Sequence, residues 1–301
     1  MVILDDLRKY FDGGKVRAVD GISLRIGRGE RFGLIGPDGA GKTTLFRLLA
    51  TLLLPDGGNA TVNGFDIRKD YRRIRASVGY MPGRFSLYKD LTVQENLRFF
   101  ATLFRTRPED AYDLIRDIYA PLEPFRHRPA GKLSGGMKQK LALCCALVHR
   151  PAVLFLDEPT TGVDVMSRKE FWDTLGRLQS SGLTTVVSTP YMDEADRCDR
   201  IALVQSGRVL AVDTPEGMVR RYPGELFAVW AEDMSGLLAA LRRHPLVERC
   251  FSFGETHHVN FYRTDEPALA AVQADLQREH AGLGLEAIRP GVEDCFIRLM
   301  L

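Results

Sequence analysis

Gly36-Pro37-Asp38-Gly39-Ala40-Gly41-Lys42-Thr43-Thr44 is the stretch on which the reading of this chain turns. It fits the phosphate-loop pattern GxxxxGK[ST], and its context is the one that pattern requires. An apolar run over 31–35 (RFGLI) reads as a strand leading in, and 42–52 reads as a helix leading out, with Leu45, Leu48, Leu49 and Leu52 on one stripe. Glycines let a backbone wrap an anion and present N–H groups to it, and the N-terminus of the following helix adds positive potential. Lys42 is placed to reach the β- and γ-phosphates of a nucleoside triphosphate, and the Thr43 hydroxyl to ligate Mg²⁺.

Further along, Leu154-Phe155-Leu156-Asp157-Glu158 delivers two carboxylates at the end of an apolar run of the buried-strand kind, 152–156. Asp157 is suited to hold Mg²⁺, directly or through water, and Glu158 to orient or deprotonate an attacking water. Other strand-like runs lie at 22–26, 59–63, 77–81, 183–189 and 200–204, and helical patterns at 92–105 and 109–119. Pro121, Pro124 and Pro129 end the second of these. A helix is expected over 168–180, capped by Ser167, with Phe171, Trp172, Leu175 and Leu178 facing the core. This alternation predicts an α/β sheet fold.

After Tyr222-Pro223-Gly224 the pattern changes to strand (226–231), helix (234–243), strand (247–253), strand (257–262), helix (266–280), strand (285–289) and a last helix. That βαββαβ order predicts a small ferredoxin-like α+β domain over 223–301, after a first domain over 1–222. The 301 residues are long enough for two cores.

Composition mostly excludes. A net charge of +2 gives no push toward nucleic acid. The basic run Arg68-Lys69-Asp70-Tyr71-Arg72-Arg73-Ile74-Arg75 reads as a solvated helix face. No stretch approaches the roughly 18 consecutive apolar residues of a membrane span. The opening Met1-Val2-Ile3-Leu4-Asp5-Asp6 lacks the basic start of a signal peptide, which predicts a cytosolic chain. The five cysteines show neither CxxC nor metal-ligand spacing, and Cys144 and Cys145 read as small core residues.

A third motif narrows the choice among phosphate-loop enzymes. Leu133-Ser134-Gly135-Gly136-Met137-Lys138-Gln139 resembles the LSGGQ signature of ABC (ATP-binding cassette) proteins, in the LSGGMKQ form seen among exporter ATPases. Physically it is a second anion clamp at a helix start. The resemblance implies a P-loop NTPase cassette with a helical subdomain at roughly 84–140 that touches transmembrane permease subunits. ATP and Mg²⁺ are the implied ligands, and Ser134, Gly135 and Gly136 would close on the ATP of an opposing cassette. Pro159-Thr160-Thr161-Gly162-Val163-Asp164 resembles the family's D-loop, with Asp164 facing that partner. Phe11 or Tyr10 stands where the family stacks an aromatic ring on adenine, with Phe11 preferred. The ending Pro290-Gly291-Val292-Glu293-Asp294-Cys295-Phe296 resembles that of drug-exporter ATPases. The implied location is the cytoplasmic face of the membrane.

Two positions depart from the family. Gly83 stands where it carries a glutamine that contacts Mg²⁺ and water, and Pro190 where it carries a histidine that donates to the γ-phosphate. Glycine has no side chain, and proline has no hydrogen to donate. The resemblance therefore leaves two expectations: a hydrolysing motor in an exporter, or an impaired ATP-binding clamp beside a competent cassette. The pair of cassettes is a homodimer in the first case, and a heterodimer or tandem protein in the second.

Overall fold

The computed structural model describes residues 1–300 and divides into two units, Met1–Glu216 and Gly217–Leu301. The first opens with β1 (Val2–Phe11) and β2 (Val16–Ile26), an antiparallel pair, followed by β3 (Arg31–Ile35) and α1 (Lys42–Leu49). Next come β4 (Gly57–Val62), β5 (Phe65–Asp66), α2 (Tyr71–Ser77) and β6 (Val78–Met81). A helical stretch carries α3 (Val93–Leu103), α4 (Tyr112–Tyr119) and α5 (Gly135–Leu147). The chain then returns through β7 (Val153–Asp157), α6 (Val165–Ser180), β8 (Thr184–Thr189), β9 (Arg200–Gln205) and β10 (Arg208–Asp213).

Two sheets result. One is antiparallel, in the order β2-β1-β4-β5; the other is six-stranded, β10-β9-β3-β8-β7-β6, parallel except where β10 meets β9. β7 and β8 are buried along their whole lengths, which is why 153–157 and 184–189 read as continuous apolar or small-residue runs rather than alternating ones. Leu45, Phe46, Leu48 and Leu49 of α1 fill the space between the sheets, with the Phe46 ring 5.6 Å from that of Phe155. Parallel strands put β3 and β7 side by side through β8, so their C-terminal ends, and the loops that follow, open on one edge.

In the helical stretch, Thr92 and Glu95 form a reciprocal capping box that starts α3. The buried carboxamide of Asn96 accepts from the Tyr88 amide and donates to the carbonyls of Tyr88, Leu91 and Thr92, tying the preceding loop to that helix. Cys144 and Cys145 are buried, and desolvation raises both thiols well above their ordinary value. Among the described residues, no helix is long and apolar enough to cross a membrane.

Three sequence expectations need correction. α1 ends at Leu49 rather than running to 52, because Thr51 turns the chain at φ +60°; Leu52 is more than half exposed and leaves the core stripe. α6 starts at Val165, and its cap is Asp164, whose side chain accepts from the Ser167 amide; Ser167 is already inside the helix. Phe171, Trp172, Leu175 and Leu178 are nonetheless buried. Finally, the basic run is only partly a solvated face, since Arg75 donates to the Thr51 hydroxyl and carbonyl.

α7 (Pro215–Arg220) leads into the second unit. There β11 (Leu226–Trp230), α8 (Met234–Arg243), β12 (Val247–Phe253), β13 (Thr256–Phe261), α9 (Glu266–Gln277) and β14 (Gly284–Ile288) are followed by α10 (Val292–Met300). The strands pair antiparallel in the order β12-β13-β11-β14. Phe227, Val229, Leu237, Leu241, Val259, Val272 and Leu276 form a separate core beneath the two helices. The division falls before the Tyr222-Pro223-Gly224 turn because Tyr222 already belongs to this unit, where its hydroxyl donates to Asn260.

Candidate functional site: a phosphate cleft at the strand ends

The loop between β3 and α1 admits only glycine at two places. A Cβ on Gly36 would lie 2.1 Å from the Val204 carbonyl oxygen, and one on Gly41 2.1 Å from that of Ala18. Gly41 also has φ +102°. Among the described residues no side chain caps α1, so the first N–H groups of that helix are left for another acceptor. Lys42 is buried to 3% exposure. Its ammonium donates to the carbonyls of Gly36 (2.7 Å) and Pro37 (3.0 Å) and pairs with Glu158 Oε1 at 3.2 Å. The phosphate loop and the carboxylate strand thus meet at one buried cation.

Gly39, Ala40, Gly41, Lys42, Thr43 and Thr44 line an open cleft of about 830 Å³ together with Glu158 and Phe11. Phe11 is the ring on the cleft, and Lys9 sits over it at 5.5 Å. The Tyr10 hydroxyl instead donates to Asp20. Arg208 closes the same rim by a paired donation to Asp20; its hydrogen bond, then that of Tyr10, holds the Asp20 carboxyl below the usual carboxylate range. Cleft size, glycine backbone, uncapped helix and a buried lysine suit a nucleoside triphosphate.

Asp157 is 2% exposed and accepts from the Ser188 hydroxyl at 2.7 Å. Tyr80 lies near it; burial, and then the charge of Asp157, push its phenol up to about 12. A buried carboxylate whose neighbour is a hydroxyl rather than a cation fits a hard metal ion, and Thr43 lines the adjoining cleft.

Ser134, Gly135, Gly136 and Asp164 are not among the residues that line this cleft. They gather elsewhere, at the starts of α5 and α6. Ser134 caps α5 by accepting from the Met137 amide. A Cβ on Gly136 would lie 2.8 Å from Ser167 Oγ, and one on Gly135 3.6 Å from the Gly162 carbonyl oxygen. Lys140 of α5 pairs with Glu170 of α6 at 2.8 Å. Two capped helix starts therefore lie side by side with Ser134, Gly135 and Asp164 exposed.

Comparison with known proteins gives the family. Residues 19–161 match the ABC transporter family. A Nod factor export ATP-binding protein of Rhizobium sp. is 36% identical over 98% of this chain and 95% of its own length. The chain belongs to the ABC transporter ATP-binding proteins. A daunorubicin resistance ATP-binding protein of Streptomyces coeruleorubidus is 38% identical over 95% of this chain and 91% of its own. A probable multidrug ABC transporter ATP-binding protein of Escherichia coli is 45% identical, but this chain spans only 40% of that protein's length. Among solved structures, a Clostridium perfringens subunit of an ABC transporter complex superposes with TM-score 0.65 at 27% identity, over 73% of this chain and 90% of the other. An ATP-binding subunit of an ABC transporter gives TM-score 0.67 at 26% identity, over 73% and 92%.

Against that family background, both departures have a definite place. A Cβ on Gly83 would lie 3.0 Å from the Asp157 carbonyl oxygen and 3.7 Å from Glu158 Cβ, so the glycine stands against the backbone of both acidic residues and adds no side chain there. Pro190 follows β8 directly, and the chain after it is tied down. The Tyr191 ring carries the Arg168 guanidinium at 4.4 Å, Arg168 pairs with Asp193 and Glu194, and Glu194 accepts from the Thr160 hydroxyl at 2.8 Å. Sequence reasoning missed Ser188, Asp20 and Arg208, since a serine in a strand of threonines and valines and an ion pair between distant residues carry no local signal.

Proposed function

We propose that this chain is the ATP-hydrolysing motor subunit of an ABC exporter, acting with transmembrane permease subunits on the cytoplasmic face of a membrane. The observation that carries this is the Lys42–Glu158 pair, which joins the phosphate loop to a carboxylate beside the cleft. In this reading the phosphates of ATP take the α1 N-terminus and Lys42. Glu158, released from the ammonium, accepts a proton from the water that attacks the γ-phosphorus, and ADP and phosphate leave. Phe11 stacks on adenine. Thr43 and Asp157 would hold Mg²⁺, which when bound neutralises phosphate charge. Ser134, Gly135, Gly136 and Asp164 lie outside this chain's own cleft and serve the ATP of a second cassette across a dimer interface. Export is the direction named for the Nod factor relative. The second unit, broadly 223–301, is a ferredoxin-like accessory domain, supported by its βαββαβ order and strand order.

A second reading is favoured by the bare position at Gly83 and by Pro190: an impaired half that binds ATP and clamps beside a competent, different cassette. Steady-state ATP hydrolysis by the purified chain, with Glu158→Gln as background, separates the two. Turnover abolished by Glu158→Gln supports the self-sufficient motor. ATP binding with turnover no faster than that variant overturns it in favour of the clamp.

A further inference from the structure

β7 ends at Asp157, with Glu158 next along the chain, and β8 runs parallel beside it, pairing Asp157 with Ser188. Ser188 is fully buried on a strand that also buries Thr184, Thr185 and Thr189. A buried hydroxyl costs free energy unless it is bonded, and this one is bonded twice. It donates to Asp157 Oδ1 at 2.7 Å and accepts from the Glu158 amide at 3.0 Å. The same amide also donates to the Ser188 carbonyl at 3.1 Å.

Glu158 needs this hold. Its φ is +48°, in the left-handed region that a residue with a Cβ rarely occupies. The turn aims its carboxylate back toward Lys42. Nearby, Gly83 has no side chain and Pro190 no hydrogen to donate.

We propose that Ser188 is a positioning residue for ATP hydrolysis: its hydroxyl locks the Glu158 backbone in the left-handed turn and takes one oxygen of Asp157, leaving the other for the cation. The inference rests on the hydrolytic reading above, and it makes Ser188 the link through which the two carboxylates keep a common geometry.

The test uses the full chain with ATP and titrated Mg²⁺. Ser188→Ala is expected to lower the Glu158-dependent kcat on the order of 10- to 100-fold, the usual cost of a reacting group displaced by a fraction of an ångström to an ångström. The KM for ATP should move less than about threefold, and Ser188→Thr should restore most of kcat. In the Glu158→Gln background, Ser188→Ala should slow residual turnover no further, because it acts through Glu158. A readout free of turnover is the Mg²⁺ concentration at half-maximal ATP binding, expected to rise about 10-fold in Ser188→Ala. A kcat within about twofold of the parent overturns the proposal, as does a loss accompanied by an equal fall in thermal stability and ATP affinity. If the parent shows no Glu158-dependent turnover, the hydrolytic reading falls by itself. The Mg²⁺ midpoint then decides the part of the proposal that concerns Asp157: a raised value keeps Ser188 as the residue that positions that carboxylate, an unchanged one removes it.

Discussion

Replacing Glu158 by glutamine tests the ion pair at the centre of the site as well as the chemistry. The Lys42 side chain is 2% exposed and that of Glu158 23%, with charges 3.2 Å apart. At an effective dielectric near 20, such a pair attracts by about 5 kcal/mol. Desolvation cancels much of this, and glutamine keeps an oxygen that accepts from the ammonium, so the net loss should be about 1–3 kcal/mol. For a unit of this size that corresponds to a fall in Tm of roughly 3–8 °C without nucleotide. Binding ATP should reverse the order. In the parent, phosphate must displace the carboxylate from Lys42; in Glu158→Gln it meets a cation with no charged competitor. The variant should therefore bind ATP about 3- to 10-fold more tightly and gain more Tm from saturating ATP than the parent does. Thermal unfolding of both proteins, with and without Mg²⁺ and ATP, reads all of this. Equal nucleotide-free stability together with equal ATP-induced shifts would refute the claim that the pair contributes and that phosphate replaces it.

Gly41→Ala places a Cβ 2.1 Å from the Ala18 carbonyl at φ +102°, so the loop must move; equilibrium ATP binding should weaken by at least about 10-fold, at a strain of roughly 1–3 kcal/mol. Gly83→Gln combined with Pro190→His restores the two side chains that the family uses, and the spacing beside Asp157 is tight enough that the chain must give slightly. Turnover in the double variant should rise about 10-fold or more over the parent, and unchanged turnover would show that neither position limits the rate. Asp294→Ala removes the acceptor for the Gly291 amide and for His258 at 2.7 Å, and should destabilise the second unit by about 1–3 kcal/mol in thermal unfolding.

Much of this protein is legible along the chain because its chemistry is local. The phosphate loop, the Asp157-Glu158 strand end and Ser134-Gly135-Gly136 are each a few consecutive residues, so order and spacing suffice to find them. The βαββαβ order after residue 222 is read the same way, from periodicity within single elements. What adjacency cannot encode was decided by packing. Thr51 turns left-handed and ends α1 early, and Asp164 takes the cap from Ser167 because its carboxylate reaches that amide first along the chain. Phe11 rather than Tyr10 lines the cleft, while the Tyr10 phenol donates to Asp20. Lys42 meets Glu158, and Ser188 holds Asp157, across strands far apart in sequence, since parallel pairing aligns their ends. That Ser134 and Asp164 stand together, away from the cleft lined by Lys42, follows from the packing of α5 on α6. The sequence names the groups expected to bind phosphate; only the fold determines which of them share a site, because hydrogen bonds and ion pairs act over a few ångströms of space, whatever the distance along the chain.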